Sequence, residues 1–230
     1  MFVAIIAAMQ EELDAIKSRA DGITEVVLYN EVLYTCKLNG VDCVLALSGI
    51  GKVNAARLTQ ILIDNFKVRC LINVGSAGAL KVEHNIGDVV VSTDCVQVDF
   101  DLTAFGREMG VIPNVGKHIH ADRRLIEVVT SAVDELVFDL RVVKGIVATQ
   151  DRFESQKEEK LRIGRQFDAE CIEMEGAAIA QVCSLNEIPF VVIRSISDIV
   201  NDSSVVDFEE FLPLAAKKCS DLLFCVINKL

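Results

Sequence analysis

Polar residues recur in this chain directly behind short apolar runs, where ligands bind in α/β proteins. The segments are Met9-Gln10-Glu11-Glu12, Ser48-Gly49-Ile50-Gly51, Gly75-Ser76-Ala77-Gly78, Thr149-Gln150-Asp151-Arg152-Phe153, Glu173-Met174-Glu175 and Ser195-Ile196-Ser197-Asp198. Acidic residues dominate them. Taken singly, Glu12 and Glu175 read as carboxylates at helix starts and Asp198 as a turn or capping residue. Three carboxylates at three strand ends carry more information, because the fold can bring them to one place. The glycines around Ile50, set before a helix, offer either an anion cradle or a tight strand-to-helix turn. Asn54 breaks the dinucleotide-binding glycine pattern, and no Walker lysine pattern is present. His118-Ile119-His120-Ala121-Asp122 has metal-like spacing, but no second cluster of ligands supports it, so no metal is expected. No Ser-His-Asp arrangement is readable.

The elements that must position these residues follow from hydropathy period. Residues 2–8, 41–47, 71–74, 88–97, 142–148 and 190–194 read as strands. Residues 10–19, a segment with Ala55, Leu58, Leu62 and Phe66 on one face, residues 125–136 and the Ala-rich 174–185 read as helices. The tail from Asp207 reads as a helix whose first turns Pro213 should kink or delay. The alternation of strand and helix predicts one α/β domain, residues 1–230, around a largely buried sheet. Residues 106–122 lack periodicity, and a loop of that length is usually functional or part of an interface.

Composition bounds the function. The 230 residues carry 23 Lys and Arg against 34 Asp and Glu, a formal charge of −11, with 51% hydrophobic residues. Such a surface repels phosphate backbones and anionic lipid, so no nucleic-acid or membrane partner is expected. The eight cysteines include no CxxC pair, and most lie in apolar surroundings. They read as reduced core residues of a cytoplasmic protein. The apolar residues 1–9 are followed by Gln10-Glu11-Glu12 with no Lys or Arg ahead of them, the reverse of a secretory leader.

Taken together, the motifs resemble the 5′-methylthioadenosine/S-adenosylhomocysteine nucleosidases of the purine nucleoside phosphorylase/uridine phosphorylase superfamily. The resemblance rests on residues 7–12, 48–55, 73–78, 101–106, 173–178 and 194–198, in order and across nearly the whole chain. It implies a three-layer α-β-α fold with a central twisted mixed sheet flanked by helices. It also implies hydrolysis of an adenine N-glycosidic bond without a cofactor, giving adenine and a 5-thioribose. Adenine departs poorly as an anion, so a general acid is needed at N7. By resemblance that acid is Asp198, supported by Ser197. Glu12 is the base for the attacking water, and Glu175 accepts hydrogen bonds from the ribose hydroxyls.

The resemblance also implies a pocket. Phe153 stacks on adenine, and the backbone at Glu154 reads the base edge. Ser76 and Arg194 help place the water and the sugar's polar groups. Met9, Ile50, Met174 and Phe208 surround the sugar and its 5′-thio substituent. Leu102, Phe105 and Pro113 lie in the long loop region. Phe105 and Pro113 are expected in the pocket of a neighbouring subunit, which implies a homodimer. Phosphorylases of the superfamily carry a phosphate-binding Arg three residues before the Ser of the Gly-Ser motif, where this chain has Asn73. Water is therefore expected as the nucleophile. Gln150 and Glu154 depart from the family pattern beside the base edge and leave base recognition open. Alternative readings are a phosphate-dependent nucleoside phosphorylase and a non-catalytic nucleoside-binding domain.

Overall fold

The computed structural model of the chain describes residues 1–132, 140–201 and 204–230. Its centre is a mixed sheet in the spatial order β10-β6-β8-β9-β5-β1-β4-β3-β2. The strands are β1 (Phe2–Ala7), β2 (Ala20–Leu28), β3 (Glu31–Leu38), β4 (Val41–Leu47), β5 (Val68–Ala79), β6 (Val89–Gln97), β7 (Ile119–His120), β8 (Val142–Thr149), β9 (Ala169–Glu173) and β10 (Phe190–Asp198). The helices are α1 (Gln10–Lys17), α2 (Lys52–Asn65), α3 (Arg123–Ser131), α4 (Lys157–Phe167), α5 (Gly176–Leu185) and α6 (Ser204–Val226).

Strand β1 shows why this is a layered fold. Val3, Ile5 and Ala7 face one apolar cluster with Leu13 and Ile16 of α1, Leu125 and Val129 of α3, and Cys219 and Leu222 of α6. Ala4 and Ile6 face the other, with Leu58 and Leu62 of α2 and Ile179 and Cys183 of α5. The two-residue period of a strand thus feeds two separate cores, one on each side of the sheet. A third cluster packs Ile163 and Phe167 of α4 against Val96, Ala148 and Ile172.

Part of the sheet closes on itself. β5 pairs in parallel with β10, β10 antiparallel with β6, β6 in parallel with β8, β8 in parallel with β9, and β9 antiparallel with β5. This ring brings the carboxyl-terminal segments of β5, β9 and β10 into contact, with Gly78 of β5 paired to both Ile172 of β9 and Asp198 of β10. An open sheet would spread them over a much longer line.

Several boundaries differ from the sequence reading. β5 runs through Gly75-Ser76-Ala77-Gly78, and β10 runs through Ser195-Ile196-Ser197-Asp198, each pairing with the other along this length. The glycines and small residues continue the strand because bulk is forbidden there. A Cβ on Gly75 would collide with the Arg194 guanidinium, and one on Gly78 would meet the Asp198 carboxylate at 2.8 Å. The hairpin β2–β3, helix α4 and strand β9 were not assigned from sequence. α5 begins at Gly176 because Glu173, Met174 and Glu175 form the approach to it. The helix expected over residues 125–136 starts at Arg123, and its end past 132 lies outside the described residues. Helix α6 starts nine residues before Pro213 and continues past it, so the expected delay does not occur. Pro213 is on the exposed face, where the carbonyl it leaves unpaired meets water. The buried face, with Leu212, Ala216, Cys219 and Leu223, holds the helix to the sheet.

All eight cysteines are free, and all but the half-buried Cys225 are buried. Burial pushes the Cys183 thiol up to about 12, which makes it an inert packing group. Within the aperiodic stretch, β7 pairs with β6 and Ile112 bridges to Gly116. His120 bonds Asp94, and Asp122 caps α3 by accepting from Leu125 N at 2.9 Å. His120 and Asp122 of the metal-like run therefore have structural partners of their own.

Candidate active site

Glu12 reaches its position through the start of α1. Met9 is the residue ahead of that helix, so Glu12 stands at its third position and its side chain turns back over the entry. One carboxylate oxygen accepts from Ala8 N at 3.0 Å and Met9 N at 3.1 Å. The other accepts from Ser76 N at 2.9 Å and Ser76 Oγ at 3.1 Å. The carboxylate is thus buried, fixed at both oxygens, and clamped between the ends of β1 and β5.

Glu175 stands at the start of α5, and its side chain crosses to α2. It accepts from Gly51 N at 2.9 Å, and Arg194 Nη2 lies 3.5 Å from it. Burial and the neighbouring Glu173 carboxylate raise its pKa to about 7. Gly51 has φ +102°, a conformation open to glycine, and this aims its N–H at Glu175. The next amide, Lys52 N, donates to Asp151 Oδ1 at 2.8 Å. The anion-binding start of α2 is therefore filled by the chain's own carboxylates.

Arg194 links this set. Its guanidinium pairs with Glu173, donates to Asn73 Oδ1 at 2.6 Å and approaches Ser76 O at 3.4 Å. Burial disfavours its charge, but Glu173, Glu175 and Glu12 outweigh that and raise its pKa. Glu173 had no role in the sequence reading. It accepts from Glu175 N at 2.9 Å and Gly176 N at 2.6 Å, and from the Thr149 hydroxyl. It fixes the start of α5 and holds Arg194, and its place inside the Glu-Met-Glu motif was the available signal. Asn73 donates to Ile6 O at 3.0 Å, which makes it a tie between β5 and β1 as well as an acceptor for Arg194.

Asp198 closes the other end. One oxygen accepts from Ser197 Oγ at 3.0 Å and the other from the Lys160 ammonium. Burial raises its pKa, with Lys160 and Ser197 opposing the shift. Lys160 also donates to Ser204 Oγ at 2.8 Å and Ile199 O at 3.1 Å. Sequence reasoning missed this lysine, because Lys157-Glu158-Glu159-Lys160-Leu161-Arg162 looks like a solvated helix face.

One cavity of about 170 Å³ is lined by Glu12, Ser76, Glu173, Glu175, Arg194, Ser197 and Asp198. Met9, Ile50, Phe153, Met174 and Phe208 supply its apolar walls. Phe153 meets Phe208 edge-to-face with ring centres 5.3 Å apart. Glu154 lines a small extension of about 30 Å³ beside Asp198 and Phe153. Its carboxylate turns back to accept from Gln156 N at 3.0 Å and pairs with Arg152. This gives the departure at Glu154 a structural account: the side chain braces its own loop. Phe105 and Pro113 do not reach this cavity; both are exposed, Phe105 by 81%.

A cavity lined by the buried carboxylates of Glu12, Glu173, Glu175 and Asp198, set on a partly closed mixed sheet, has the groups that cleavage or transfer of a glycosidic bond needs. A family model of the phosphorylase superfamily matches residues 2–228. A 5′-methylthioadenosine/S-adenosylhomocysteine nucleosidase of Geobacillus sp. (strain WCH70) is 41% identical over 231 residues, covering 100% of this chain and 99% of the relative. Among solved structures, the nucleosidase of that name from Neisseria meningitidis, in complex with methylthio-immucillin-A, superposes with a TM-score of 0.95. It is 36% identical and covers 100% of this chain and 99% of its own. The futalosine hydrolase of Helicobacter pylori strain 26695 has a TM-score of 0.94 at 31% identity, covering 100% and 98%. The chain belongs to the 5′-methylthioadenosine/S-adenosylhomocysteine nucleosidase family of the phosphorylase superfamily.

Proposed function

We propose that this chain hydrolyses the adenine N-glycosidic bond of 5′-methylthioadenosine, S-adenosylhomocysteine and related 5′-deoxyadenosines, releasing adenine and a 5-thioribose. Asp198 is the acid that protonates purine N7, so that the base leaves neutral. Glu12 is the base that takes a proton from the attacking water. Separate acid and base carboxylates are the arrangement of inverting glycoside hydrolysis. Glu175 binds the ribose hydroxyls. Together with Glu12 and Glu173 it surrounds the sugar with negative charge, which favours an oxocarbenium-like transition state. Phe153 stacks on the base and the backbone at Glu154 meets its edge. Ser76, Arg194 and Ser197 orient polar groups, while Met9, Ile50, Met174 and Phe208 enclose the sugar and its 5′ substituent.

The observation that carries the choice of water over phosphate is electrostatic. Arg194 is engaged by Glu173 and Glu175, and the α2 amides by Glu175 and Asp151. A phosphate dianion entering this end would meet carboxylates at each of the donors it needs. Adenine release from 5′-methylthioadenosine, followed with and without phosphate, tests the reading. Equal rates are expected, and strict phosphate dependence would turn the reading toward a phosphorylase.

The working unit is a homodimer in which Phe105 and Pro113 complete the neighbour's pocket, and their exposure on the single chain supports this. The setting is the reducing cytoplasm, supported by the free cysteines, where such cleavage serves methionine salvage. Among the described residues no helix is long and apolar enough to cross a membrane.

A further inference from the structure

The structure assigns Lys160 as the positioning residue of the acid: its ammonium fixes the Asp198 carboxyl toward the cavity and makes it the stronger acid that purine N7 requires. The assignment rests on the reading of Asp198 as the general acid.

Lys160 is fully buried, on the cavity-remote side of Asp198, and its own atoms do not line the cavity. An ammonium has three N–H donors and no acceptor. Here all three have partners from the end of β10 and the start of α6: Asp198 Oδ2, Ile199 O at 3.1 Å and Ser204 Oγ at 2.8 Å. A buried charge held this completely marks a fixed ionic group, since an unpaired one carries a large desolvation cost. Gly78 makes room for the pair. A Cβ there would stand 2.8 Å from Asp198 Oδ2 and 3.3 Å from Lys160 Nζ.

The other charged groups near Asp198 cannot take this role. Asp207 of α6 acts in the opposite sense, raising the Asp198 pKa. Across the small extension stand Arg152, Glu154 and Glu173, of which Arg152 is spent on Glu154. Arg194 is engaged by Glu173 and Glu175. Lys160 is therefore the cation that Asp198 sees.

The proton step balances as follows. The O–H bond of the Asp198 carboxyl breaks, N7–H forms, and the electron pair of the sugar–N9 bond passes into the purine. The carboxylate left behind is stabilised by the Lys160 ammonium, which keeps its three protons. The cation thus acts where negative charge develops, on the protein side of the proton transfer.

Lys160→Met keeps the length of the side chain and removes the charge. Its expected effect is to move the basic limb of the kcat/KM profile, which reports the acid of the free enzyme, to higher pH by about 1–3 units. Peak kcat falls by a larger factor than KM changes. A folded Lys160→Met enzyme whose limb stays in place overturns the assignment. Should that variant fail to fold, Lys160→Gln, which keeps N–H donors for the Ile199 carbonyl and the Ser204 hydroxyl but removes the charge, decides by the same limb: a move to higher pH is expected, and a limb that stays in place overturns the assignment. Full turnover by Asp198→Asn would instead remove the acid reading itself, so the two failures are distinct.

Discussion

At the scale of residues, the site is an arrangement of four buried carboxylates and two buried cations. Glu12, Glu173 and Glu175 share Arg194, while Asp198 has Lys160 to itself. Burial, reinforced by the neighbouring Glu173 carboxylate, explains why the Glu175 pKa is raised to about 7. That shift has a consequence for stability. A carboxyl whose folded pKa lies above its unfolded value near 4.5 favours the fold most below that value. The contribution is lost as pH rises through about 7. Glu175→Gln should therefore gain stability relative to the unmutated chain between pH 5 and pH 8, by an amount on the order of a few kcal/mol. Denaturant melts at the two pH values check this, and parallel curves would count against it. Asp198→Asn should lower turnover by at least ~10²-fold while leaving the fold intact, as expected for a lost general acid. Steady-state kinetics beside a thermal melt separates the two effects. Glu12, Glu175 and Asp198 were legible in the sequence because each sits in a short motif behind an apolar run. Lys160 and Asp151 were not, since their partners lie 38 and 99 positions away and nothing local marks them.

At the scale of elements, the buried strands were legible from their apolar runs, and the hairpin β2–β3 was not. Much of β2 is exposed, and Gly22 interrupts its pattern, so it lacks the buried signature of β1 or β4. Helix α4 was missed because only Lys160, Ile163, Gly164 and Phe167 are buried along it. The strand ends were misread at the glycines. Gly75 and Gly78 looked like terminators, yet they keep β5 extended so that Arg194, Glu12 and Asp198 can lie against it. Gly164 plays a similar part for α4, where a Cβ would come within 2.6 Å of the Leu80 carbonyl oxygen. Since that contact is backbone, α4 itself would have to shift. Gly164→Ala is expected to cost about 1–3 kcal/mol, as overpacking does. It should also lower kcat, because α4 carries Lys160. Unchanged stability in urea would show that α4 has more freedom than this contact allows.

At the scale of the whole molecule, the closed ring of β5, β10, β6, β8 and β9 sets the site. It turns strand ends that are distant in sequence into neighbours around one cavity. The charge of −11 fits a substrate that carries no phosphate, although surface residues supply most of it. Phe105 and Pro113 are exposed on the single chain, and their proposed role lies in the homodimer. If the proposed homodimer forms through this loop, Phe105→Asp should weaken it and reduce activity together, because a buried charge replaces an apolar contact. Light scattering at assay concentration should then report a smaller mass than for the unmutated enzyme. An unchanged mass with unchanged activity would remove Phe105 from the interface. The central claim is that water, activated by Glu12, attacks the sugar in place of phosphate. A single turnover of 5′-methylthioadenosine in ¹⁸O-water containing phosphate, with products read by mass spectrometry, tests it most directly. The account predicts one ¹⁸O at the anomeric carbon of the thioribose and none in adenine, whereas a sugar phosphate without the label would contradict it.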